Sequence, residues 1–165
     1  MSRTHSKIAV AVAAGVAGAL FALLAAVGTA GAVHHDPATT TIVLIGHETA
    51  NAQLDLGAPG PSLGDETVFS AALLRPGEHR VIGHFEGTLT AVTPDANSRF
   101  LASVVLALPA GQITVQGELD FATQTEFVHA ITGGTGAYRD AAGEFHFHDT
   151  ATPGVIAITL QLDQT

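Results

Sequence analysis

The sequence predicts an all-β domain of about eight short strands, preceded by an export leader. Three observations carry that prediction. Short apolar runs rich in Val, Ile, Thr and Phe recur between Gly, Pro and Asp breakers. Stretches such as Phe145-His146-Phe147-His148 alternate with period two, as half-buried strands do. Beyond the leader, no window shows a sustained apolar stripe of helical period.

The leader comes first. Arg3, His5 and Lys7 give a basic start, residues 8–27 are small and apolar without a charge, and Ala30-Gly31-Ala32 fits a small-residue cleavage site. We read a secretory signal peptide over 1–32, cut after Ala32, a flexible tail over 33–40 and a barrel domain over 41–165. The apolar run is also long enough to span a bilayer as an uncleaved anchor. Its Ala and Gly content and the cleavage site that follows favour removal, which makes the protein extracellular and free of the membrane.

The strands follow in order. Breakers delimit runs over 41–47, 67–74, 80–92, 100–108, 112–119, 126–132, 143–149 and 154–162. Gly57-Ala58-Pro59-Gly60-Pro61 precedes the second run and Arg75-Pro76-Gly77 the third. Thr93-Pro94-Asp95 ends the third, Pro109-Ala110-Gly111 separates the fourth from the fifth, and Gly133-Gly134-Thr135-Gly136 ends the sixth. One longer loop, over 48–66, joins the first two and would lie across one end of a barrel. Eight antiparallel strands close into a small barrel that has no edges. Two packed sheets are the competing architecture, and spacing alone leaves both open.

Composition narrows the function. After Ala32 only Arg75, Arg80, Arg99 and Arg139 remain as cations, against 15 acids. Nucleic-acid binding needs clustered cations, so no nucleic-acid partner is expected. The absence of Cys excludes disulfides, thiolate metal sites, a Cys nucleophile and lipid attachment at a Cys.

Three segments resemble one known family. They are Ser62-Leu63-Gly64-Asp65 leading into Thr67-Val68-Phe69, then Gly111-Gln112-Ile113-Thr114-Val115-Gln116-Gly117, then Ala130-Ile131-Thr132-Gly133-Gly134-Thr135-Gly136-Ala137-Tyr138-Arg139 followed by Ala141-Ala142-Gly143-Glu144. In this order and spacing the chain resembles the allene oxide cyclase barrel and its dirigent relatives over roughly residues 41–162. The resemblance implies an eight-stranded antiparallel barrel with an apolar cavity that holds a small hydrophobic molecule and guides its cyclisation or stereochemistry. It implies an isomerase-like activity without a cofactor, and a homo-oligomer, as in plant relatives. The alternatives are a non-catalytic carrier of a hydrophobic ligand and a barrel filled by its own side chains.

The family's cavity residues map unevenly. Its Asp-x-x-Ser-Pro pattern resembles Asp55-Leu56-Gly57-Ala58-Pro59, with Ala58 in place of Ser. Its first-strand Glu and Asn fall near Ile45 and His47. Its third-strand Cys falls at Leu89, the paired Cys of bacterial relatives at Leu89 and Ala102, and the dirigent Arg at Ala142. The ligand-cavity candidates are therefore His47, Pro59, Phe69, Leu89 and Tyr138.

Several polar residues are candidates on their own chemistry. Arg139 offers a planar fork for a carboxylate, or a pair with Asp140 or Glu144. Asp65 is either a cavity acid or the tie of its own turn. Glu86, Glu118 and Glu126 are bases if they face inward and solvated otherwise. His146 and His148 share a strand face, and His129 on the preceding strand would complete a three-imidazole metal set if it shared that face. Solvated polar residues opposite Phe145 and Phe147 are the simpler reading, and no metal is expected there. Cleavage after Ala32 would expose Val33-His34-His35, whose amine, backbone nitrogens and third-position imidazole suit square-planar Cu(II) or Ni(II); an incidental tail is the alternative.

Overall fold

The computed structural model describes residues 39–93 and 99–163. The leader over 1–32 and the candidates Val33, His34 and His35 lie outside the described residues. Eight strands follow one another: β1 (Thr39–Leu54), β2 (Glu66–Leu74), β3 (Gly83–Ala91), β4 (Arg99–Leu108), β5 (Gly111–Asp120), β6 (Phe127–Gly134), β7 (Gly143–Asp149) and β8 (Val155–Asp163). Each pairs antiparallel with its sequence neighbours, and β8 returns to β1 from Thr39↔Asp163 to His47↔Val155. The sheet therefore closes, and the two-sheet alternative is excluded.

Strand β1 runs seven residues past its expected end at His47. Its polar second half, Glu48 to Leu54, pairs with β2, and the loop expected over 48–66 shrinks to 55–65. The reason is a bulge at Thr49, where the register slips between Glu48↔Ala71 and Ala50↔Ser70. The Thr49 hydroxyl secures it by donating to the Ser70 carbonyl at 3.0 Å. The bulge changes the side-chain parity, and the residues from His47 onward are exposed on both faces, so no apolar alternation marks this half although the strand continues.

Alternation then sorts the side chains. The lower end, where β1 begins and β8 ends, is packed with Leu44, Leu73, Leu106, Ile113, Ile131 and Leu160, all buried. The glycine segment closes this end. Thr135 N–H donates to the Gln112 carbonyl and Ala137 N–H to the Ala110 carbonyl, both at 2.8 Å. Gly136 takes φ +61, and a Cβ there would strike the Ala110 carbonyl, so the segment requires glycine for a structural reason. Tyr138, in the 3-10 turn Gly136–Tyr138, packs against the core from below.

A difference in mutational cost tests this division of the interior. Leu160→Ala, in the filled half, should cost about 2–5 kcal/mol in urea unfolding. Leu89→Ala, on the upper wall, should cost distinctly less, because its side chain already borders open space. Equal losses would mean the upper half is packed as tightly as the lower.

Candidate functional site

The upper half of the barrel holds a cavity of about 240 Å³. Small inward residues make the room: Gly46 on β1, Ala71 on β2 and Ala102 on β4 line it where bulky aliphatics stand lower down. A cavity of about 150 Å³ accepts benzene, so this one has space for a larger molecule.

Its wall is aromatic. Phe69, Phe85, Phe145 and Phe147 line the cavity, together with Phe121 at the upper end. Phe85 and Phe145 stack with centroids 5.6 Å apart, and Phe127 stacks on Phe147 at 4.9 Å. The tilted pairs Phe69–Phe85 and Phe145–Phe147 join these stacks into one row.

One imidazole interrupts the row. His129 points inward from β6 between Phe127 and Ile131, is 3% exposed, and meets the ring of Phe147 edge-on at 5.4 Å. Two features of β5 admit it. A Cβ on Gly117 would collide with the His129 ring, so only glycine leaves the space. The β5–β6 register also stops at Gln116↔Ala130, and above it the imidazole Nε2 takes the Glu118 carbonyl at 3.1 Å. A carbonyl only accepts, so Nε2 carries the proton and Nδ1 of the neutral ring presents a lone pair. Nδ1 is buried and has no hydrogen-bond partner among the described residues. Leaving such an acceptor unpaired costs about 1–3 kcal/mol. Burial holds the imidazole below its ordinary pKa, with the Glu118 carbonyl opposing that shift.

The mouth is acidic. Glu48 and Asn51, which straddle the Thr49 bulge, both line it, and Asn51 Nδ2 donates to Glu48 Oε2 at 3.3 Å. Asp149, at the end of β7, lines the mouth as well. Neither carboxylate has an ion-pair partner among the described residues.

The sequence candidates distribute as follows. Phe69 and Leu89 line the cavity. His47 is exposed, because Leu44 and Gly46 take the inward positions of β1. Pro59 is exposed in the 55–65 loop, and Tyr138 sits at the opposite end of the barrel. Asp65 ties its own loop: it accepts from Leu56 N–H at 2.9 Å, Ser62 N–H at 2.7 Å and the Ser62 hydroxyl at 2.8 Å. The Leu56 and Ser62 amides, then the Ser62 hydroxyl, hold its carboxyl below the usual range. Glu86 and Glu126 are exposed, and Glu118 faces outward to Arg99 at 3.5 Å. Arg139 is exposed at the lower end, away from the cavity. The three-imidazole set does not form. His129 lies opposite Phe145 and shares its inward face, whereas His146 faces outward and bonds Glu144 at 2.9 Å and exposed His148 shares its face. No metal-binding cluster of three or more such side chains exists among the described residues.

Sequence reasoning passed over Glu48, Asn51 and Asp149 and left open which face of β6 carries His129. The available signal for His129 was its alternation with Phe127 and Ile131 on β6, which puts all three on one face.

The family model of the allene oxide cyclase barrel-like domain matches residues 43–158. The chain belongs to that family. Among solved structures it is similar to a pyocyanin demethylase, with 30% identity and a TM-score of 0.65, over 74% of this chain and 99% of that one. It shares its fold with the pterocarpan synthase dirigent protein PsPTS1, with 15% identity and a TM-score of 0.63, over 77% of this chain and 96% of that one. The Diels-Alderase AbmU from Streptomyces koyangensis has the same fold, with 21% identity and a TM-score of 0.63, over 76% of this chain and 64% of that one. No curated protein matches the chain.

The depressed imidazole pKa has a sign that can be checked. Between the folded pKa of His129 and its unfolded value of about 6.5, the unfolded chain binds more protons, so stability rises with pH through that window. Melting temperature should therefore fall as pH drops below about 6.5, and less steeply in His129→Leu than in the unaltered protein. Parallel melting curves for the two proteins would remove His129 as the cause.

Proposed function

We propose that the barrel takes up a small hydrophobic molecule through its upper mouth and guides that molecule's cyclisation or stereochemistry, as an exported, isomerase-like protein. The observation that carries this is the Phe-lined cavity of the upper half above a solidly packed floor. A rigid apolar chamber contributes by holding a reactive molecule in the one conformation that leads to product. Such orientation is worth several kcal/mol when the held shape is close to reactive. The Diels-Alderase and the dirigent protein that share this fold support the reading. A pure carrier would need the same chamber and differs only in what it releases.

Native mass spectrometry of the protein against an extract of its producer's spent medium separates these outcomes, with released and supplied ligand compared by chiral chromatography. A ligand returned as a different isomer is the expected result. A ligand returned unchanged assigns the chamber to transport, and no ligand at all removes the binding function. Export has its own check. Protein recovered from the medium should begin at Val33 by N-terminal sequencing, and recovery only from membranes with residues 1–32 attached would overturn export.

A further inference from the structure

We infer that the cavity selects a flat aromatic molecule, neutral or cationic, whose O–H or N–H group donates a hydrogen bond to Nδ1 of His129. This deepens the proposed binding function and rests on it. Three observations converge on this class of ligand.

The wall sets the shape. Phe69, Phe85, Phe145 and Phe147 line one chamber, and Phe85 and Phe145 are nearly parallel, with an interplanar angle of 21°. Aromatic faces and edges favour another aromatic ring in offset or edge contact. A volume of about 240 Å³ accommodates fused rings.

The imidazole sets the polarity. Its Nε2 is committed to the Glu118 carbonyl, and its Nδ1 is buried without a partner among the described residues. The protein keeps this arrangement at the expense of a glycine at 117 and an interrupted ladder beside it. A hydrophobe of similar size would fill the site with no unpaired atom, so a waiting acceptor points to a donor on the ligand.

The mouth sets the charge. Any ligand enters past Glu48 and Asp149, neither of them neutralised by a cation among the described residues. The exposed Arg139, the candidate for binding a carboxylate, stands at the other end of the barrel. Carboxylate ligands such as fatty acids are thus disfavoured, whereas neutral and cationic rings pass freely.

Three probes of one ring size test the inference: 2-naphthol, 2-methoxynaphthalene and 2-naphthoate, titrated into the protein at low salt by fluorescence. The naphthol should bind roughly tenfold more tightly than the methoxy ether, the usual worth of one additional hydrogen bond. His129→Leu should erase that preference while still binding the ether. The naphthoate should bind most weakly, and Glu48→Gln with Asp149→Asn should recover part of its affinity. Equal binding of naphthol and ether by the unaltered protein overturns the acceptor role without needing any variant to fold. Naphthoate binding as tight as naphthol binding overturns the charge selection. Failure of all three probes, the ether included, overturns the cavity-binding function itself and the inference with it.

Discussion

Closure of the sheet is the constraint on which the rest depends. Once β8 pairs with β1, every second residue of every strand must face one shared interior, and the size of those residues decides what the interior is. Leu and Ile at the lower inward positions make a floor. Gly46, Ala71 and Ala102 at the upper ones make a chamber. The choice of inward side chains thus separates the packed floor from the candidate site.

Deviations from regular pairing then place the polar groups. The Thr49 bulge carries both Glu48 and Asn51 to the mouth, which strict alternation would not do at a spacing of three. The early end of the β5–β6 ladder frees the Glu118 carbonyl for His129. Thus the acceptor at the wall and Glu48 with Asn51 at the mouth occur where the sheet departs from regularity, whereas Asp149 reaches the mouth by plain alternation along β7. The family resemblance pointed to a Glu and an Asn near Ile45 and His47. The structure instead offers Glu48 and Asn51, three and four residues further along the same strand.

This also explains what the sequence showed and what it hid. The number of strands was legible because Gly and Pro breakers are local, and seven of the eight expected runs overlap their strands closely. The second half of β1 was hidden because its polar residues Glu48, Asn51 and Gln53 look like a loop, and only pairing with β2 makes them a strand. Inward and outward faces were illegible where they mattered, since a single bulge inverts parity and leaves no mark in composition. His129 was grouped with His146 and His148 by residue type, whereas the register with β7 sets it opposite Phe145. Gly117, which admits the imidazole, read as one more glycine in a strand.

The packed floor has a kinetic consequence. Among the described residues the chamber is closed below by Leu73, Leu106 and Leu160 and by the glycine segment, and it opens upward past Glu48 and Asp149. Under the proposed function, a molecule transformed inside would leave by the upper mouth through which it entered, so product and fresh substrate would compete for the same passage. Release would then depend on the loops around that mouth rather than on flow through the barrel. One of those loops, over 55–65, is anchored by the hydrogen bonds that Asp65 accepts from Leu56 and Ser62.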